Sequence, residues 1–206
     1  MILGFGFNCL YKVQFIVYFL HQSLEMQPNS FVDIHHFRKL QLIGHIYNST
    51  YMVQEKNSGH IYAAKCFTED SPVNEGDDSK SDEPKMLDGY HIHCKLNHPT
   101  IIKTYGLSHV DFDDDPNPTA ILEYMPNGSL DDVIKQLEKG NVPTFWNHTK
   151  LLITLYGIAC GMSYIHSNNI IHNDLKPSNI LLDSNFYPKI NDFDFSVSLE
   201  SGQSEI

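Results

Sequence analysis

The stretch IHNDLKPSN, Ile171 to Asn179, sets an acid, a cation and an amide side by side within nine residues. Pro177 and the lack of apolar residues at helical spacing predict a loop there and not a helix. Asp174, Lys176 and Asn179 are therefore expected to sit at an irregular turn where polar groups converge. Upstream, HTKLLITLYGIACGMSYIHSNN predicts a long helix, with Leu151, Leu152, Leu155, Ile158, Ala159, Met162 and Ile165 as its buried face. SLDDVIKQLEKG, before it, predicts a shorter helix. Downstream lies KINDFDF, a second cluster of acids beside aromatics.

Farther toward the N-terminus the apolar period changes from that of helices to that of strands. FRKLQLIG, TYMVQEK and HIYAAKCF alternate apolar and polar side chains, and Asn57-Ser58-Gly59 marks a turn, so a β-meander is predicted. TEDSPVNEGDDSKSDEP, rich in acids, serine, glycine and proline, reads as a solvated loop. Pro84 suits a helix start, and KMLDGYHIHCKL continues with Met86, Leu87, Tyr90 and Cys94 in helical spacing. Two further strands, IIKTYGLSHV and TAILEYM, flank the exposed hairpin loop DFDDDPNP.

The formal net charge of -11 and a pI near 5.4 argue against a sequence-independent grip on nucleic acid, which needs clustered Lys and Arg. Cys9, Cys66, Cys94 and Cys160 show no metal or disulfide spacing, which suits a reducing, cytoplasmic setting. His91, His93, His98, His148 and His166 read as ordinary core or surface histidines. The apolar opening MILGFGFNCLYKVQFIVYFL fits three readings: a segment packed on the domain, a membrane anchor, or a signal. Its interruptions at Asn8, Lys12 and Gln14 weigh against a membrane span without closing the question.

The order of strands, lysine-bearing strand, helix, strands and helices, with AAK at Ala63 to Lys65, LNHPTIIK, EYMPNGSL, HNDLKPSN with NILL, and KINDFDF, resembles the protein kinase superfamily from about Phe31 to Ser198. The resemblance implies an α+β, bilobal fold: a five-stranded antiparallel N-lobe with one helix (residues 30–125) and an incomplete helical C-lobe (126–206), after an apolar extension (1–29). It implies ATP and Mg²⁺ as cofactors and a protein substrate or partner. By the same resemblance Asp174 is the base that orients the attacking hydroxyl, and Lys176 neutralises charge on the moving phosphoryl group. Asn179 and Asp192 would bind the metal. Lys65 would hold the α- and β-phosphates, and Ala63, Thr50, Leu181 and the backbone from Glu123 to Met125 would frame the adenine. Lys176 looks like serine/threonine kinases, whereas NGSLDD looks more like the tyrosine-kinase-like branch.

Several positions depart from that pattern. Ile43, His45 and Asn48 stand where phosphate-loop glycines are expected, with Gly44 one place out of register and Tyr47 matching the aromatic at the loop tip. Gly89 stands where a glutamate would pair with Lys65, and a glutamate restored there is expected to recover phosphate grip. Asn173 replaces an arginine that receives an activation-loop phosphate, and Asp194 replaces the glycine of Asp-Phe-Gly. The sequence ends at Ile206 without an Ala-Pro-Glu motif, which predicts residues after Ser196 to lack fixed structure and the long helix to want bracing. The expectations are an impaired serine/threonine kinase, a pseudokinase interaction or allosteric module, or a fragment of a longer product.

Overall fold

The computed structural model describes residues 31–45, 48–68 and 86–199. The apolar run at 1–20, the loop around 69–85 with Pro84, and Tyr47 lie outside the described residues. The meander forms: β1 (Phe37–His45), β2 (Ser49–Glu55) and β3 (Ile61–Cys66) pair antiparallel in succession. With β4 (Thr104–Ser108) and β5 (Thr119–Glu123) they make one five-stranded sheet in the order β1-β2-β3-β5-β4. Alternation decides its faces. Val53 and Ala64 point into a core with Ile34, Phe37 and Ile121, packed by Tyr51, Tyr62, Val110 and Phe112. The acid-rich hairpin loop is itself ordered by acids, because the Asp111 carboxylate accepts from the amides of Asp113 (2.9 Å) and Asp115 (3.2 Å) and from Asn117 Nδ2 (2.6 Å).

Helix α1 (Met86–Lys95) follows β3 in the chain. Helix α2 (Leu130–Glu138) begins with a capping box, in which Asp132 N–H donates to Ser129 Oγ and Ser129 N–H to Asp132 Oδ2. Helix α3 (His148–Ser167) is capped by Asn147, whose side chain accepts from Lys150 N–H. Short strands β6 (Ile170–Ile171), β7 (Ile180–Leu182), β8 (Pro188–Ile190) and β9 (Val197–Ser198) form two ladders, β6 with β9 and β7 with β8. The described residues divide into two compact units: those up to Leu87 with Tyr105–Leu122, and Asp88–Thr104 with those from Glu123 on. The second unit's core joins Leu96, Ile101, Ile165, Ile170, Ile180, Ile190 and Phe193.

Two expectations are corrected here. The buried face of α3 is Thr154, Gly157, Gly161 and Ile165, with Ile158 and Met162 packed on the core as expected, while Leu151, Leu152, Leu155 and Ala159 are exposed, with Leu152 at 52% and Leu155 at 54%. The reason is steric: a Cβ on Gly157 would lie 2.6 Å from Pro188 Cγ, and one on Gly161 would lie 2.6 Å from Thr100 Oγ1 and 2.7 Å from Ile190 Cδ1. The helix backbone approaches β8 so closely that only small residues fit, and the leucines are turned away. The second correction concerns the end of the segment, because Val197 and Ser198 pair with Ile171 and Ile170 instead of lacking structure, while residues 200–206 lie outside the described residues.

Candidate active site

The loop from Ile171 to Asn179 is built around Asp174. Lys176 Nζ lies 2.7 Å from Asp174 Oδ2. Asn179, buried in a 3₁₀ turn over Pro177–Asn179, donates through Nδ2 to Asp174 Oδ2 (2.8 Å) and to the Asp174 carbonyl (2.9 Å). Both amide hydrogens are thereby committed, which fixes the amide plane and leaves Oδ1 as the atom Asn179 can offer to a hard cation. The Asn179 carbonyl accepts from Asn191 N–H (2.9 Å), tying this loop to the residue before Asp192. Asp174, Lys176 and Asn179 thus bond to one another within the second unit, and the Asn191 link ties Asn179 to the residue that precedes Asp192.

His172, whose role was not read from the sequence, is the hub beneath them. Only 1% exposed, it accepts from Asp174 N–H at Nδ1 (3.3 Å) and donates from Nε2 to the Asn191 carbonyl (3.1 Å). That pattern needs the neutral ring with its proton on Nε2, and burial lowers its pKa below the ordinary value. Its ring also packs on Phe193, with centroids 4.8 Å apart, and His93 of α1 stacks on the same ring at 4.5 Å. The signal for this was present in the sequence as a histidine two residues before the loop's aspartate.

Two residues of the site hold left-handed backbone: Asn173 at φ 61° and Asp192 at φ 65°. Asn and Asp enter that region at lower cost than branched residues. Asp194 does not adopt positive φ, so the backbone there does not require the glycine that the resemblance led one to expect. Asn173 Nδ2 donates to the Phe195 carbonyl (3.1 Å), and Ser196 Oγ donates to the His172 carbonyl (3.2 Å). The side chain standing in for the phosphate-receiving arginine therefore fastens the following segment directly.

In the first unit, register places the other candidates together. Thr50 is directly opposite Lys65 and Met52 opposite Ala63, so Thr50, Ala63 and Lys65 share one face of the β2–β3 pair, away from Val53 and Ala64. Lys65 Nζ lies 5.5 Å from the centroid of the Phe67 ring. The β1–β2 ladder runs to His45 opposite Ser49, and neither Ile43, Gly44 nor Asn48 has positive φ. Cys66 here and Cys94 in the second unit are free thiols whose pKa burial pushes up, which makes them poor nucleophiles.

In the second unit, Glu123 and Met125 lead from β5 to α2. The Glu123 carboxylate accepts from Lys103 N–H (3.1 Å) and pairs with Lys189 Nζ (2.9 Å), both partners being largely shielded. Met125 is buried, and Leu181 forms a bridge with Ser129, with Leu182 N–H donating to the Gly128 carbonyl (2.9 Å). The restored glutamate is overturned: a Cβ on Gly89 would lie 2.2 Å from the Phe193 carbonyl oxygen and 2.7 Å from Asp194 Cα. No side chain fits there without moving the helix or the segment.

Comparison with known proteins agrees with this architecture. The model of the protein kinase domain matches residues 37–205. The cell cycle serine/threonine-protein kinase CDC5/MSD2 of Saccharomyces cerevisiae is 34% identical over 144 residues, covering 69% of this chain and 18% of that protein. An Aurora kinase of Yarrowia lipolytica is 29% identical over 157 residues, 76% of this chain and 38% of that one. Cysteine-rich receptor-like protein kinase 10 of Oryza sativa subsp. japonica is 35% identical over 116 residues, 55% of this chain and 17% of that protein. The chain thus spans well under half the length of these relatives. Among the described residues, no helix is long and apolar enough to cross a membrane. With the Asp174 loop, the Lys65 strand and the Asp192 segment all inside the matched span, the chain belongs to the protein kinase domain family.

Proposed function

We propose that this chain binds Mg-ATP and transfers its γ-phosphoryl group to a serine or threonine hydroxyl of a protein, at a rate limited by its departures from the family pattern. The observation that carries the reading is the Asp174–Lys176–Asn179 cluster, joined through Asn191 to Asp192. Asp174 receives the proton of the attacking hydroxyl, and the Lys176 ammonium, 2.7 Å from the Asp174 carboxylate, faces the incoming negative charge. A bound Mg²⁺ supplies charge neutralisation at the phosphates, and Asn179 Oδ1 with the Asp192 carboxylate is a suitable hard-oxygen donor set for it. Thr50, Ala63 and Lys65, on one face of β2–β3, serve the nucleotide, as do Met125, Leu181 and the backbone at Glu123.

A second reading, an interaction module without turnover, is favoured by one observation: Gly89 cannot be replaced by a side chain that would serve Lys65. Thermal stability measured with Mg-ATP and with ATP plus chelator tests the first reading. A larger shift with Mg-ATP, abolished by Asp192→Asn, is expected. Equal shifts in both, or none, leave the module reading. Transfer of labelled phosphate to a generic protein substrate, lost in Asp174→Asn, then separates an enzyme from a nucleotide-binding module.

A further inference from the structure

We infer that Gly89 is a positioning residue: the bare backbone of α1 at this glycine is a stop against which the Phe193 carbonyl rests, and that contact sets where Asp192 stands. The clash of any Cβ is with main-chain atoms, the Phe193 carbonyl oxygen at 2.2 Å, the Phe193 carbonyl carbon at 2.8 Å and Asp194 Cα at 2.7 Å, so no rotamer change relieves it. The same oxygen accepts the Ser196 N–H at 2.9 Å, and Ser196 Oγ returns to the His172 carbonyl. Displacing it would therefore loosen the turn that closes the segment behind Asp192.

The helix has little freedom to retreat. Leu87 and Tyr90, on either side of the Asp88–Gly89 step, are buried, and His93 Nε2 lies 2.6 Å from the Ile102 carbonyl while its ring stacks on Phe193. Asp192 is held on its other side by the Asn191 N–H bond to Asn179 and by His172 on the Asn191 carbonyl. Its left-handed backbone is thus enclosed between a hydrogen-bonded side and a contact side, and Gly89 supplies the contact. Helix propensity alone argues the opposite, since alanine is the better helix former at any interior position.

The contact stands on geometry, whereas its consequence for metal rests on the phosphoryl-transfer reading, so the experiment has two arms. In the nucleotide-free chain, hydrogen exchange of the Asn191 and Ser196 amides is compared between wild type and Gly89→Ala, with the β2–β3 amides as reference and Lys95→Ala as a control for an exposed helical position. Exchange at Ser196 is expected to rise at least about tenfold in Gly89→Ala only, with the reference amides unchanged. In the second arm, affinity for ADP is measured with and without Mg²⁺. The gain from Mg²⁺ is expected to vanish in Gly89→Ala while metal-free affinity is kept, a split that simple loosening of the fold would not produce. Unchanged exchange at Ser196 overturns the inference, as does raised exchange with the Mg²⁺ gain intact. A wild type with no Mg²⁺ gain defeats the phosphoryl-transfer reading, and the exchange arm alone then decides the contact. Should Gly89→Ala fail to fold, Phe193→Leu decides: it keeps the backbone contact and removes the ring stack, so retained Ser196 protection supports the inference and lost protection overturns it.

Discussion

The loop carrying Asp174 and the strand pair carrying Lys65 reach their candidate roles by opposite routes. In the loop, a carboxylate, an ammonium, an amide and an imidazole bond to one another across a few residues, and each group's orientation is determined by its neighbour. In the strand pair, Thr50, Ala63 and Lys65 share a face because of pleat and register alone. A locally bonded site withstands erosion elsewhere in the chain, whereas a site assembled by strand faces depends on distant elements to supply the rest of the grip. Departures from the family pattern occur in both regions, the glycines beside the strands and Asn173 within the loop, yet the loop keeps Asp174, Lys176 and Asn179 together.

Four measurements sharpen or break this contrast. The largest effect is expected in phosphoryl transfer, where Asp174→Asn should lower kcat by about 10²–10⁴-fold with little change in nucleotide affinity, the contribution usual for a positioned general base. Parallel losses in kcat and affinity would mean that the loop also grips nucleotide. Next, Lys65→Met should weaken nucleotide binding by about 10–100-fold, the equivalent of one charge-assisted hydrogen bond of roughly 1.5–3 kcal/mol, and leave the melting temperature of the free chain nearly unchanged. A large fall in stability would show that the strand lysine is a structural member of the sheet.

Asn179→Ala should behave in the reverse way, destabilising the free chain by about 1–3 kcal/mol because the Asp174 carbonyl and carboxylate lose a buried donor. Denaturant unfolding of the nucleotide-free protein reads this directly. The smallest effect concerns His172, whose folded-state pKa lies below the ordinary 6.5. Above that value the ring is neutral in both states and its contribution to stability is fully present. As pH falls through the window beneath it, the unfolded chain takes up the proton first and stability is lost until the folded pKa is passed. The melting temperature should therefore drop on acidification, and His172→Gln should remove that part of the slope. An unaltered slope would mean that the hub carries no pH dependence of its own.

Much of the architecture was legible in the sequence. The strands begin and end within a few residues of the alternating runs, and the polar cluster around Asp174 was marked by its own spacing. The inward face of α3 was legible only at Ile158, Met162 and Ile165, because apolar periodicity ranks side chains by what they gain on leaving water. Closeness of backbone approach favours Gly157, Gly161 and Thr154 instead. Gly89 was misread for a related reason: a glycine where an acid is expected looks like a loss, and only the carbonyl facing it reveals that the space is taken. Asn173 likewise looked like a missing arginine until its bond to Phe195 gave it a use. In each case the missing information was a contact with a residue far away in sequence: side chains of Thr100, Pro188 and Ile190 for the α3 glycines, and main chain for Gly89 and Asn173.

The outward turn of α3 has a consequence for how the protein behaves in a test tube. Leu151, Leu152, Leu155 and Tyr156, the last 74% exposed, set a ridge of hydrocarbon and phenol against water on one side of a helix whose other side is packed. Salts that are excluded from protein surfaces, such as sulfate and phosphate, raise the cost of that wet ridge, and warming from the cold raises it further. The chain should accordingly salt out at low ammonium sulfate, dissolve more readily on ice than at room temperature, and be retained strongly on a phenyl column. Exchanging Leu152 and Leu155 for serine would lower that retention and shift precipitation to higher salt while hardly altering the unfolding midpoint, because these leucines form part of the surface and not of the core.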